Sequence, residues 1–149
     1  MQLEWQILSF DDLGSDRLYR VLQLRQQVFV VEQQSIYLDL DDKDRAASHM
    51  LALHDGSLCA YQRCLPPGTS YPESSLGRIV VQPQLRGRRL GHDLVRRGID
   101  YNQRTWPGAG ICINAQSYLE DFYVALGFRA EGEEYMEDGI PHRKMRLQL

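Results

Sequence analysis

"IVVQPQLRGRRLGHDLV", residues 79–95, is the stretch on which the fold turns. It closes a short apolar run, LGRIVV (76–81), of the kind that makes a buried strand, and Pro83 has no N–H to continue a ladder. From Leu90 the spacing changes. Leu90, Leu94, Val95, Gly98 and Ile99 share one helical stripe, with Asp93, Arg96, Arg97 and Asp100 outside it. That pattern predicts an amphipathic helix of about 16–18 residues, stopped by WPGAG (106–110). Arg86, Arg88 and Arg89 lie between strand and helix, where the backbone's partial positive charge favours anions. Gly87 lets the main chain approach a ligand closely, so a bound anion would satisfy the helix end and the arginines together. The ligand implied is a polyphosphate held by the amides of Gly87, Arg88, Arg89, Leu90, Gly91 and His92 and ringed by Arg86, Arg88 and Arg89. The rival reading is a solvated basic turn. Neither GxxxxGK[ST] nor GxGxxG is present.

Working outward, EWQILSF (4–10) reads as a first strand. Residues 16–29 carry Leu18, Val21, Leu22, Val28 and Phe29 at helical steps, with Arg25 interrupting the stripe. SHMLALHDGSLCAYQRCL (48–65) reads as a hairpin about Asp55–Gly56. ICINA (111–115) is a further strand, and SYLE (117–120) has the form of a capping box. The helix it opens carries Leu119, Phe122, Tyr123 and Leu126 and stops at Gly127. A last hairpin runs from Phe128 to Leu147, turning at Asp138–Gly139. This order predicts an α/β (α+β) domain over residues 1–149, with one central, mixed, largely antiparallel sheet of six or seven strands. The strand–helix–strand unit in the middle implies a parallel pair there.

The 149 residues, 43% hydrophobic and 25% charged, suit one soluble domain. The net charge of −3 argues against non-specific nucleic-acid binding. No apolar run approaches the roughly 20 residues of a membrane span, and MQLEWQILSF lacks the pattern of a secretory leader. Cys59, Cys64 and Cys112 form no CxxC pair. They predict neither a zinc site nor a disulfide framework, and suit the reducing cytoplasm.

VVQPQLRGRRLGHDLV (80–95) resembles the coenzyme A-binding motif of the GNAT superfamily of N-acyltransferases, [Q/R]-x-x-G-x-[G/A]. Arg86 matches its first position and Gly91 its last, whereas Arg89 stands where the middle glycine falls. GICINAQSYLEDFYVALGF (110–128) is similar to the segment that follows in that superfamily. LRQQVFVVEQ (24–33), YLDLDDKD (37–44), GRIVV (77–81) and EDGIPH (137–142) resemble its ElaA-like branch.

The resemblance implies a sheet splayed in the middle, helices on both faces, and acetyl-CoA as co-substrate without a metal. Ile79, Val80 and Val81 would pair with the pantetheine arm like an added strand, the Val81 amide holding the thioester oxygen. Tyr123 falls at the family's proton donor, and Gln116 stands where many relatives place an asparagine. The glutamate that many relatives use as base has no counterpart in GRIVV. His142, suited to proton exchange near neutrality, and Glu32 are the candidates, unless the amine arrives already neutral. Asp39, Asp41, Asp42 and Asp44 form either an acidic mouth for a cationic amine or a solvated loop, and lack the pattern of a calcium loop. Arg25 would pair with Glu32 or one of these aspartates, or lie on the surface.

The activity implied is acetyl transfer to a primary amine of a small molecule or peptide, in a superfamily where homodimers are common. Two alternatives stand beside it. One is an acyl-CoA-binding or regulatory module without turnover, suggested by the missing glutamate and by Arg89. The other is an acyl-homoserine-lactone-synthase-like enzyme, since Arg25-x-x-Val28-Phe29 before an acidic cluster resembles those proteins.

Overall fold

The computed structural model describes residues 1–147. The chain runs β1 (Glu4–Ser9), α1 (Phe10–Arg25), a π-helical stretch (Gln26–Glu32), β2 (Ser48–His54), β3 (Ser57–Leu65), β4 (Ser75–Val81) and α2 (Leu90–Thr105). It continues with β5 (Ile111–Gln116), α3 (Glu120–Ala125), β6 (Phe128–Glu137) and β7 (Ile140–Leu147).

The strands form two antiparallel sheets, ordered β1-β2-β3-β4 and β5-β7-β6, rather than the single sheet expected. The expected parallel pair survives as one bridge, Ser74 to Ile111. There the Ser74 N–H donates to Gly110 O (3.2 Å) and the Cys112 N–H to Ser74 O (2.9 Å). Beyond it β4 and β5 part. The parting follows from a bulge in β4. Val80 pairs with Tyr61 but Gly77 with Arg63, and the intervening Arg78 takes a left-handed φ of 51°. A bulge bends its strand and sharpens its twist, turning β4 away from β5.

Both hairpins turn where Asp-Gly predicted, with φ of 49° and 79° at Asp55–Gly56 and 53° and 75° at Asp138–Gly139, the positive values that a type I′ turn needs. One local expectation is extended and one fails. The helix expected over 16–29 begins earlier, capped by Ser9 Oγ on the Asp12 N–H (3.1 Å), and breaks at Gly14. At Gln26 it widens into π-helical turns, closed by Gln33 N–H to Val28 O (3.1 Å) and Ser35 N–H to Val30 O (3.0 Å). Four successive bulky residues, Val28 to Val31, crowd an ordinary helical turn. The capping box does not form. Residues 117–119 make a 3₁₀ turn, the buried Ser117 Oγ has no partner among the described residues, and Glu120 pairs with Arg143 at 3.1 Å.

Helices cover both faces. Leu90, Leu94, Val95 and Ile99 of α2 pack with Ala60, Cys64, Leu76, Ile113, Tyr123 and Phe128 in the larger core. Leu13, Val21 and Leu24 of α1 pack with Val28, Leu51, Tyr61 and Val80 in a second. Gly98 brings α2 close to β3, for a Cβ there would lie 2.5 Å from Gln62 Nε2, which donates to Leu94 O at 2.6 Å. Asn102 donates to Ser75 O (3.0 Å), tying the far end of α2 to the start of β4. The start of α2 is thereby placed at the mouth of the gap between the sheets.

Candidate active site

The gap opens into a cleft of about 1370 Å³. Its walls carry unused backbone groups. The Gln82 N–H donates to Cys59 O on β3 (2.9 Å), so strand alternation turns the amides of Val81 and Ile79 to the open edge. Cys112 donates across to Ser74, which by the same alternation turns the backbone of Asn114 and Gln116 toward β4. Val80 is different. It borders the cleft too, but its backbone faces Tyr61 and its side chain, only 3% exposed, packs in the second core.

Residues 86–92 form the cleft's other end. The first bond of α2 runs from the Asp93 N–H to Arg89 O (3.1 Å), leaving the amides of Leu90, Gly91 and His92 ahead of it, and no side chain caps them. Gly87 has φ 83° and Arg89 φ 60°. A Cβ on Gly91 would meet only Val81 and Phe122 at ordinary contact distances, so the protein's own packing does not demand glycine there. Arg86, Gly87, Arg89, Leu90, Gly91 and His92 border the cleft, while Arg88 is exposed outside it. Arg86 is held by Glu32 in a two-pronged pair (2.6 and 3.0 Å). That bond holds the Glu32 carboxyl below its ordinary value, as expected of a carboxylate paired to a guanidinium.

Tyr123 borders the cleft from α3, wedged edge-on between Phe122 and Phe128. It is 5% exposed, and burial, followed by the neighbouring Tyr118, raises its phenol above the usual value. It therefore stays protonated. Gln116 exchanges amide hydrogen bonds with Gln33 (3.1 and 3.2 Å), the residue just past the π-helical stretch.

His142 lies at the other end, on β7. Its Nδ1 is 2.7 Å from Ile140 O; a carbonyl only accepts, so Nδ1 carries the proton and Nε2 of the neutral ring is free to take one. Nε2 stands 3.9 Å from Glu137 Oε2, which also accepts from Asn114 Nδ2 (2.5 Å), and the Tyr135 hydroxyl donates to Asn114 Oδ1.

The acidic loop is neither a free mouth nor a solvated loop. Asp39, Asp41 and Asp44 alternate with Arg25, Arg63 and Arg78 in a closed six-membered ring. Arg25 lies 2.8 Å from both Asp39 and Asp44, Arg63 lies 3.0 Å from Asp44 and 2.5 Å from Asp41, and Arg78 lies 3.4 Å from Asp41 and 2.7 Å from Asp39. Arg25 is wholly buried, and Asp42 alone of the four aspartates points to solvent. Burial pushes the Asp41 and Asp44 carboxyls up, but Arg63 and Arg25 respectively outweigh it and leave both low. The ring grips Arg78, the left-handed residue of the β4 bulge, and so holds the bend that opens the gap.

The structure thus brings Glu32, Ile79, Val80, Val81, Arg86, Gly87, Arg89, Leu90, Gly91, His92, Gln116, Tyr123 and His142 to one cleft and leaves only Arg88 of the expected residues outside it. Sequence reasoning missed Arg63 and Arg78, Gln33, Asn114 and Glu137. Gln33, Arg78, Asn114 and Glu137 each lie in a segment that resembles the family (24–33, 77–81, 110–128 and 137–142), which was the signal available, whereas Arg63 had none.

Residues 18–149 match the family model described as acetyltransferase (GNAT) domain, and the chain belongs to that family. It is 37% identical over 149 residues to protein ElaA of Escherichia coli, covering 99% of this chain and 97% of ElaA. The crystal structure of E. coli ElaA matches at TM-score 0.92 and 36% identity, over 99% of this chain and 100% of that one. An acyl-CoA N-acyltransferase from Pseudomonas aeruginosa matches at TM-score 0.93 and 38% identity, again over 99% and 100%. A CoA-dependent acyl-homoserine lactone synthase, at 14% identity and TM-score 0.77 over 99% and 84%, shares the fold alone.

Proposed function

We propose that this protein transfers the acetyl group of acetyl-CoA to a primary amine of a small molecule or peptide in the cytoplasm. One observation carries the reading. Unused donors and acceptors on both walls of the gap lead straight to an uncapped helix N-terminus ringed by arginines. An extended arm with amide groups fits the gap as an added strand, and a pyrophosphate fits the helix end.

The residues divide the work by position. Amides of Leu90, Gly91 and His92 bind the phosphates, and Arg86 joins them on leaving Glu32. The Val81 N–H faces the charge that develops on the thioester oxygen, a contribution of about 3–4 kcal/mol for one preorganised donor. Tyr123, kept protonated by burial, donates to the departing sulfur. His142 accepts the proton of the amine at Nε2.

Acetyl-CoA is expected to raise the melting temperature, since a ligand of the native state stabilises it, whereas NAD is not. Thiol release over a panel of amines, peptides and polyamines then tests turnover. Stabilisation with no release for any acceptor leaves a binding module, and no stabilisation removes the reading altogether. Tyr123→Phe is expected to lower kcat about 100-fold while the stabilisation by acetyl-CoA persists; unchanged kcat removes Tyr123 as donor.

A further inference from the structure

Among the carboxylates that border the cleft, most are already committed. Asp39 and Asp41 belong to the six-membered ring and Glu32 is held by Arg86, while Asp138 sits in the β6–β7 turn. Glu137 differs. It has no arginine or lysine within ion-pair distance among the described residues, its side chain is 49% exposed, and it borders the cleft beside His142. Asn114 fixes one carboxylate oxygen, Oε2, and leaves the other open. Tyr135 stacks on the His142 ring (centroids 6.3 Å apart, planes at 24°), and Tyr37 also borders the cleft, whereas Tyr71 already carries Lys144 Nζ over its ring (5.2 Å to the centroid). A fixed carboxylate among phenol rings is suited to an alkylammonium, which takes one charge-assisted hydrogen bond and stacks its remaining positive surface on the aromatic faces.

We propose that Glu137 is the anchor for the acceptor's ammonium group and presents its proton to Nε2 of His142, which makes the acceptor a cationic primary alkylamine. This rests on the acyl-transfer reading of the cleft. In the step itself an N–H bond of the ammonium breaks, its electron pair stays on nitrogen, and the proton binds Nε2. The Nδ1–H of His142 stays on Ile140 O throughout. A positive charge leaves the amine and appears on the imidazole, still opposite Glu137, so the net charge of the group is unchanged and the amine gains the lone pair it needs for attack. The groups facing His142 agree with this. Across β6 stands Tyr135, with Glu137 one pair further along, and across β5 stands the neutral Gln116, while the neighbouring cations of β7, Arg143 and Lys144, are paired with Glu120 (3.1 Å) and Glu131 (3.6 Å). Glu137's field is felt locally. After burial, it contributes to raising the Tyr135 phenol, and it is among the causes that push Tyr71 up to about 12.

The test reads binding without needing turnover. The imidazole resonances of His142 are followed by NMR as ethylammonium is added at neutral pH, with trifluoroethylamine, largely uncharged there, as the control. In the wild-type protein ethylammonium is expected to move the His142 signals to saturation and trifluoroethylamine to leave them in place. In Glu137→Gln the ethylammonium affinity is expected to fall at least about tenfold, the scale of one hydrogen bond to a charged group, with partial recovery in Glu137→Asp. Equal affinity in wild type and Glu137→Gln, or equal response to both amines, overturns the proposal. The melting temperature of each variant checks that it is folded. Acetyl-CoA stabilisation, measured in parallel, judges the transfer reading separately. Its absence would sink that reading while the ethylammonium titration still decides the role of Glu137.

Discussion

Arg89 sits in a backbone conformation that residues with a side chain avoid, φ 60° and ψ 15°, at the position where the family motif carries glycine. A left-handed non-glycine residue costs on the order of 1 kcal/mol, and nothing caps the helix to compensate. The guanidinium is exposed at the edge of the cleft, and on the proposed reading it faces the coenzyme's phosphates. Arg89→Gly is therefore expected to act in opposite directions on two measurements. The melting temperature of the free protein rises by about 1–4 °C, because relief of the strain exceeds the added freedom of the unfolded chain. The further rise on adding acetyl-CoA shrinks, because one phosphate contact is gone. A lower melting temperature without ligand would mean the side chain holds the loop in its own right. The departure from the motif was legible in the sequence. The strain was not, since an arginine, unlike glycine, asparagine or the aspartate of an Asp-Gly turn, gives no sign in the sequence of a positive φ.

At the scale of elements, the π-helical stretch and the turn after it strap one sheet's side of the molecule to the other. Glu32 reaches Arg86, Gln33 reaches Gln116, and the Ser35 hydroxyl donates to Asp138 O (2.8 Å). On the proposed reading Glu32 would compete with phosphate for Arg86 and also repel it. Glu32→Gln is accordingly expected to tighten coenzyme A binding about three- to fivefold by calorimetry, the scale of a surface ion pair; weaker binding would show that Glu32 positions the loop instead. The arginine–aspartate ring is the deeper constraint. Asp44 touches both Arg25 and Arg63, and Asp44→Asn leaves two buried cations short of a partner, for an expected loss of about 3 kcal/mol in urea unfolding. A loss below about 1 kcal/mol would mean water enters the ring. The strands, the Asp-Gly turns and α2 were legible because period and turn chemistry are local. The ring was not. Its aspartates lie together in YLDLDDKD and look like a solvated run, but their partners come from α1, β3 and β4, and only the fold assembles them. The contact between Glu137 and Asn114 stayed hidden for the same reason, the two being 23 residues apart and brought together by strand pairing.

Across the whole molecule, buried titratable groups set the pH range in which the fold holds. His49 is fully buried, with Nδ1 2.6 Å from the Tyr61 hydroxyl and Nε2 2.9 Å from Asp44 O, and burial drives its pKa below the ordinary 6.5. The unfolded chain takes up that proton first, so stability begins to fall as the pH drops through about 6.5. The carboxylates extend the loss. Arg146 holds Glu73 down at about 2 against an ordinary 4.5, and Asp41 and Asp44 lie below their ordinary 3.8. Each favours the folded state above its unfolded value and surrenders that advantage as the pH falls toward its folded one. On the alkaline side burial raises the Cys64 thiol from 9.0 to about 12, and the Tyr61 and Tyr123 phenols also rise. The unfolded thiol then ionises while the folded one cannot, so stability declines as the pH climbs through 9 toward 12. The urea midpoint against pH should show a plateau from about 6.5 to 9, with a limb falling on either side. Cys64→Ala separates the causes. It lowers the whole curve, because it empties space in the larger core, but it removes one ionising group, so the slope just above pH 9 becomes shallower by up to about 1.4 kcal/mol per pH unit while the acid limb keeps its shape. An alkaline slope identical to the wild type's would show that the thiol is reached by solvent and titrates alike in both states.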